Sequence, residues 1–248
     1  GHFVKTVNNG IEYADMQMIA EVYGLMRDVG GRRPADMTPV VDGWKSGPLA
    51  SYLIDITAAI LTSTDGDTDV PMLDVIVDQA GQKGTGRWTL IEALKLGISA
   101  STIEAAVGAR SWSSEKGVRV AAEAMVAQTG EDKSLSDAAT LENALLAGRI
   151  IGHAQGFQLL AAASDEFGWS LDLARIAEIW RAGCIIRSAL LDVLADALRA
   201  APPHGHLFLA PAVQAQLADA LPGLRRVVAS AALAGQPVPA LSAALAWY

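Results

Sequence analysis

The chain has 248 residues, enough for a sizeable hydrophobic core in one large domain or two small ones. Its net charge of −8 and pI near 4.9 exclude the basic stripe that a nucleic-acid surface needs. Cys184 is the only cysteine, which excludes an intrachain disulfide and points to a reducing, cytoplasmic setting.

Half of the residues are apolar, Ala and Leu dominate and aromatics are few. That mixture predicts helices packed on helices, because Ala and Leu lose little on entering a helix. No stretch reaches the roughly 18 apolar residues of a membrane span. The start shows no signal-peptide order. Both ends read as cuts inside a longer chain: there is no initial Met, and the sequence stops abruptly at Ala246-Trp247-Tyr248.

Period-3.6 patterns recur along the chain, and the expected fold is all-α. A first long helix is predicted from Phe3 to Met26, ended by Gly30-Gly31 and Pro34. An element around Val40–Gly47 leads through Pro48 into a helix over Leu49–Leu61. The polar loop from Thr62 to Thr68 precedes Pro71, which opens the next helix. Gly81–Arg87 is glycine-rich, and a helix runs from Trp88-Thr89 toward Leu96, with Gly97 as its C-cap. Ser99–Arg110 reads as a further helix, followed by a charged, irregular stretch to Leu135. Leu141–Ala163 and Leu171–Ala200 are predicted long helices joined at Gly168-Trp169. Pro202–His206 forms a loop before the last helices.

One internal echo suggests a duplicated helical unit. Trp44-x-x-Gly47 with Ser51-Tyr52-Leu53-Ile54-Asp55 is repeated as Trp180-x-x-Gly183 with Ser188-Ala189-Leu190-Leu191-Asp192. Helix periodicity alone also produces such echoes.

Two clusters carry chemistry. Lys5, Asn8, Asn9, Glu12 and Tyr13 fall at i, i+3, i+4, i+7 and i+8 and so share one helix face. The face offers one amine, two amides, one carboxylate and one phenol. By spacing alone an ordinary solvated face remains open. The second cluster, Gln82-Lys83-Gly84-Thr85-Gly86-Arg87, is not a phosphate-binding Walker loop, since Arg87-Trp88 follow the second glycine. Glycines still let backbone N–H groups approach an anion at a helix N-terminus, and Lys83, Thr85 and Arg87 add charge and a hydroxyl. A plain surface turn is the alternative. Arg110 alone reads as a surface charge, His153 as a packed, satisfied histidine, and Trp180 and Cys184 as core. His204 and His206 lack nearby Cys or acidic partners, and no metal site is expected.

Taken together, Phe3-Val4-Lys5-Thr6-Val7-Asn8-Asn9-Gly10-Ile11-Glu12-Tyr13, Leu53–Thr57, Gln82–Thr89, Ala109-Arg110, Ala154–Phe157 and Ile179–Ser188 resemble the 6-phosphogluconate dehydrogenase family, in the family's order. The resemblance covers nearly the whole chain. It implies that residues 1–248 are a C-terminal, all-helical catalytic, substrate-binding and dimerisation domain. A nucleotide-binding Rossmann domain and a C-terminal tail would then lie outside the chain.

The implied reaction is oxidative decarboxylation of 6-phosphogluconate to ribulose 5-phosphate in the pentose phosphate pathway. NADP (or NAD) would be held mainly by the other domain. The resemblance assigns Lys5 as general base and Glu12 as the acid that protonates C1. Asn8 and Asn9 are assigned to substrate, and Tyr13, Lys83, Thr85 and Arg110 to its phosphate. The implied partners are 6-phosphogluconate and a second copy of the chain in a homodimer, with neither nucleic acid nor membrane.

The physics of these roles is consistent. A lysine base must fall from about 10.4 to roughly 7–8, which burial beside a cofactor can achieve, whereas a carboxylic acid donor needs an upward shift. The family pattern has His where this chain has Asn8. The Lys-x-x-Asn-Asn spelling also resembles the wider β-hydroxyacid dehydrogenases, so a different hydroxy acid, or a non-catalytic dimerisation or ligand-binding domain, stands as the alternative.

Overall fold

The computed structural model describes residues 1–125 and 134–248, and they form an all-α domain. Among the described residues the extended pairings are two isolated bridges, Ser51 with Ser188 and Thr64 with Pro71. No described helix is long and apolar enough to cross a membrane.

The domain is organised around α8 (Ala138–Phe167). Asp137 caps its start by accepting from the Thr140 N–H at 2.7 Å, and left-handed Gly168 ends it. Twenty of its 30 residues are buried, on all sides, as expected of a helix that other helices enclose. One side bears Gly148, Gly152 and Gly156, four residues apart. These positions let α1 (His2–Gly24) approach backbone to backbone, with Ile11 against Gly156 and Met18 against Gly148. The buried stripe of α1, Val7, Ile11, Ala14, Met18 and Val22, follows the 3.6-residue period. The helix runs into one π-turn (Leu25–Val29), where the Gly30 N–H reaches the Leu25 carbonyl at 3.0 Å.

Several boundaries differ from those read in the sequence. The element expected at Val40–Gly47 is α2 (Pro34–Trp44), which begins at Pro34 because proline suits the first helical turn. In place of a start at Leu49, α3 (Tyr52–Leu61) starts after Ser51, whose hydroxyl accepts the Ile54 N–H. Pro71 opens only the four-residue α4 (Met72–Val75). From left-handed Gly84, α5 (Thr85–Lys95) begins three residues before Trp88. It is followed by α6 (Ser101–Ser113), and the stretch expected to be irregular contains α7 (Lys116–Glu123). The rest of that stretch, at 126–133, lies outside the described residues.

The single helix expected over Leu171–Ala200 is two: α9 (Leu173–Gly183) and α10 (Leu190–Arg199). The intervening backbone is diverted into a long-range pairing. Ala189 N–H donates to the Ala50 carbonyl at 2.9 Å, and Tyr52 N–H to the Arg187 carbonyl at 3.1 Å. The two echoed sequences therefore meet, at Ser51 and Ser188. Two 3-10 turns (Pro203–Gly205, Leu207–Leu209) then lead to α11 (Pro211–Leu233) on α8 and to α12 (Pro239–Trp247) against α6 and α8.

A buried ion pair pins α1 to α8. Arg149 Nε lies 3.3 Å from Asp15 Oδ2, with both side chains shielded from solvent. Its Nη1 donates to the Leu49 carbonyl at 3.1 Å and to Ser51 Oγ at 3.3 Å. Breaking such a pair leaves a buried, uncompensated charge and costs about 3–5 kcal/mol. His153 is packed here but not fully satisfied. Its Nδ1 donates to the Arg149 carbonyl at 2.8 Å, while buried Nε2 has no partner among the described residues.

Candidate active site

The site is built where α5 and α6 cross the N-terminal half of α1. The α1–α5 crossing is close because both helices present glycine. A Cβ on Gly10 would lie 2.7 Å from the Thr89 methyl, and one on Gly86 would lie 2.6 Å from the Tyr13 ring. The Thr89 hydroxyl is shared between the Thr6 carbonyl at 2.8 Å and the Thr85 carbonyl at 3.0 Å, which fixes the register of the two helices. Gln82 ties the loop before α5 to α6, donating to the Val107 carbonyl at 3.2 Å and to Ser111 Oγ at 2.9 Å.

Arg110, which by itself reads as a surface charge, lies on Tyr13. Its guanidinium stacks 3.8 Å from the ring centroid, Nη1 donates to the Gly81 carbonyl at 2.9 Å, and Nη2 points at the Met16 sulfur at 3.7 Å. A cation over a tyrosine ring is worth about 0.5–2 kcal/mol, so the arginine is held beside α1 rather than left to solvent. The loop at 81–84 and the positive start of α5 adjoin the same place.

The five polar residues of the Lys5–Tyr13 face of α1 differ in exposure. Lys5 is exposed, Glu12 is half-buried, and Tyr13 is buried beneath Arg110 and Gly86. Asn8 is fully buried: its Oδ1 accepts from Lys5 Nζ at 3.1 Å and its Nδ2 donates to Cys184 Sγ at 3.3 Å. Asn9 Oδ1 is buried with no hydrogen-bond partner among the described residues. Burial raises the Glu12 carboxyl above its ordinary value, against the pull of nearby Lys5 and Arg110, and Asp15 pushes the same way as burial. That direction is the one a carboxylic acid donor needs. The burial expected for the lysine is not supplied by its own neighbours in this chain.

Lys5, Asn8, Asn9, Glu12, Tyr13 and Arg110 are brought together. Lys83 is exposed on the adjoining loop, Thr85 is half-buried in the first turn of α5, and Arg87 is exposed. Cys184, read from sequence as plain core, lies against Asn8. No local pattern could have found that contact across 176 residues of chain.

Comparisons with known proteins identify the family. The chain matches the family model for "6-phosphogluconate dehydrogenase, C-terminal domain" over residues 1–248. It is 44% identical over 260 residues to a decarboxylating 6-phosphogluconate dehydrogenase of Treponema pallidum, covering 100% of this chain and 52% of that protein. It is 44% identical over 252 residues to that of Escherichia coli, covering 100% and 53%. A solved Plasmodium falciparum 6-phosphogluconate dehydrogenase, described in complex with its cofactor NADP+ and with its substrate 6-phosphogluconate, superposes with a TM-score of 0.93. Its identity is 41%, over 100% of this chain and 54% of that one. The chain thus spans about half the length of the curated relatives it matches. With the family model matched from the first residue to the last, the chain belongs to the 6-phosphogluconate dehydrogenase family, as its C-terminal domain.

Proposed function

We propose that this chain is the helical, substrate-binding domain of a decarboxylating 6-phosphogluconate dehydrogenase that converts 6-phosphogluconate to ribulose 5-phosphate. The observation that carries this reading is the convergence of Lys5, Asn9, Glu12, Tyr13 and Arg110 at one helix crossing, with the Glu12 carboxyl raised. A Rossmann domain and a C-terminal tail outside this chain would complete the enzyme, which would act as a homodimer in the cytoplasm.

The described residues contain no glycine-rich turn between a strand and a helix, the device that holds a dinucleotide pyrophosphate. NADP (or NAD) is therefore assigned mainly to the other domain. This chain would offer it only the exposed face around Lys5. When bound, the cofactor supplies a hydride acceptor for the substrate's C3.

Lys5 Nζ takes the C3 hydroxyl proton as that hydride leaves, which produces a 3-keto acid. Loss of carbon dioxide breaks the bond between the carboxylate carbon C1 and C2, and its electron pair moves into the C2–C3 double bond of an enediol. Lys5 returns a proton to the C3 oxygen as this forms. Glu12, whose carboxyl burial raises above its ordinary value, donates to the carbon that becomes C1 of the product, while Lys5 takes back the C3 hydroxyl proton to leave the ketone. Asn9 Oδ1 is free to accept a hydrogen bond from a substrate hydroxyl. The phosphate is assigned to Arg110, Tyr13, Lys83 and Thr85. Arginine offers a planar fork, lysine a compact charge, and α5 its positive N-terminus. A small unphosphorylated hydroxy acid would leave that cluster unused.

The test is turnover by the complete enzyme carrying Lys5→Met or Glu12→Gln. Each should lower kcat by about 10²–10⁴-fold, as removal of a general acid or base does, with KM changed far less. Near-normal turnover by either variant would remove the assigned chemistry.

A further inference from the structure

We propose that Asn8 is a positioning residue, which holds the Lys5 amine through a hydrogen-bond chain anchored on Cys184 and the Trp180 carbonyl, and is not itself in contact with substrate. The proposal deepens the functional reading above and rests on Lys5 being the base.

The chain has one permitted direction. A lysine amine in its charged form only donates, so the Asn8 atom facing it at 3.1 Å must be the carbonyl oxygen. That choice turns the amide nitrogen toward Cys184, where it donates to Sγ at 3.3 Å. The thiol S–H in turn donates to the Trp180 carbonyl at 3.0 Å, which can only accept. Asn8 thereby uses both of its polar atoms while lying fully buried, which leaves it no free edge for a ligand.

The anchor is packed against the core. Trp180 is buried and packs on Phe157 of α8 with ring centroids 5.3 Å apart. Cys184 stands where α9 ends and the backbone turns away to pair with residues 50–52. An exposed, flexible lysine on α1 is thus referenced to the core of the domain through a residue 176 positions away.

A neutral anchor also suits a base. The amide oxygen accepts one N–H from the amine whether it is charged or neutral, and it adds no charge that would favour the ammonium. A carboxylate at position 8 would stabilise the ammonium and oppose the proton transfer. The charged groups that share this environment are Glu12, Arg110 across it and buried Asp15, and all three are the same in both proteins compared below.

The experiment uses the complete enzyme. In Asn8→Asp the limb of the kcat/KM pH profile that reports the base should move to higher pH by at least about one unit, the effect of an adjacent opposite charge. The substrate phosphate titrates alike in both proteins and cancels from the comparison. Cys184→Ala should lower kcat about tenfold with KM within about twofold, since loss of orientation at a reacting group can reach about 10²-fold. Cys184→Ser, whose hydroxyl can accept from the amide and donate to the Trp180 carbonyl, should recover most of that loss.

An unmoved limb in Asn8→Asp, or equal behaviour of the alanine and serine variants, overturns the positioning role. If Asn8→Asp does not fold, the Cys184 pair decides. Lys5→Met separates the two levels. Full turnover in that variant overturns the base assignment and this proposal together, whereas an inactive Lys5→Met beside an unmoved Asn8→Asp limb overturns the positioning alone.

Discussion

Glu21 offers a test of how the α12 end of the domain is held. Its carboxylate is 5% exposed and accepts the first free N–H groups of α12, Ala240 at 2.7 Å and Leu241 at 2.9 Å, together with Gln17 Nε2 at 3.0 Å. Burial raises its pKa from 4.5 to about 7, against these three donors. A folded-state value above the unfolded one means that the native chain binds the extra proton. Stability from this group is then fully present below about pH 4.5 and is lost as pH rises through about 7. A displacement of that size corresponds to roughly 3 kcal/mol. Glu21→Gln removes the titration while keeping one acceptor, and it turns an NH2 group toward the other N–H, at a fixed cost of about 1–3 kcal/mol. Urea unfolding of both proteins from pH 4.5 to 8.5 isolates Glu21, because every other group titrates in both. The wild-type advantage should shrink by roughly 3 kcal/mol as pH rises across the window. Parallel stability profiles would refute the reasoning, and would mean that the α12 N–H groups fully offset the desolvation of the carboxylate.

Two further outcomes follow from the site. Arg110→Ala should weaken binding of 6-phosphogluconate by about 1.5–3 kcal/mol, the range for a charge-assisted hydrogen bond, and should barely change the poor use of unphosphorylated gluconate. Equal losses on both substrates, measured as KM ratios, would make Arg110 purely structural. Gly86→Ala places a methyl 2.6 Å from the Tyr13 ring, so it should destabilise the domain by about 1–3 kcal/mol, as overpacking does. Since Tyr13 carries Arg110, the same variant should also raise KM for the phosphorylated substrate, and thermal unfolding with steady-state kinetics would check both effects.

Much of this protein is written locally. The shared face of Lys5, Asn9, Glu12 and Tyr13 follows from 3.6-residue periodicity, and the turn after α8 follows from Gly168, although the helix, read as Leu141–Ala163, extends three residues earlier to the Asp137 cap and four later to Phe167. Such signals act within a few residues, so one sequence suffices to read them. The all-helical class follows in the same way from composition. Three features could not be read so, because each is a competition settled by groups distant in the chain. Nothing in residues 171–200 announces the break at Cys184–Ala189; it exists because Ala50 and Tyr52 take backbone bonds that a continuous helix would have used. Arg110 looks like a lone surface charge until the α1–α6 packing sets its guanidinium on Tyr13. Asn8 shares a periodic face with Lys5, yet the approach of α9 buries it and turns its amide toward Cys184. Periodicity decides which residues share a direction on a helix, whereas packing decides which of them meet solvent, a ligand or another helix.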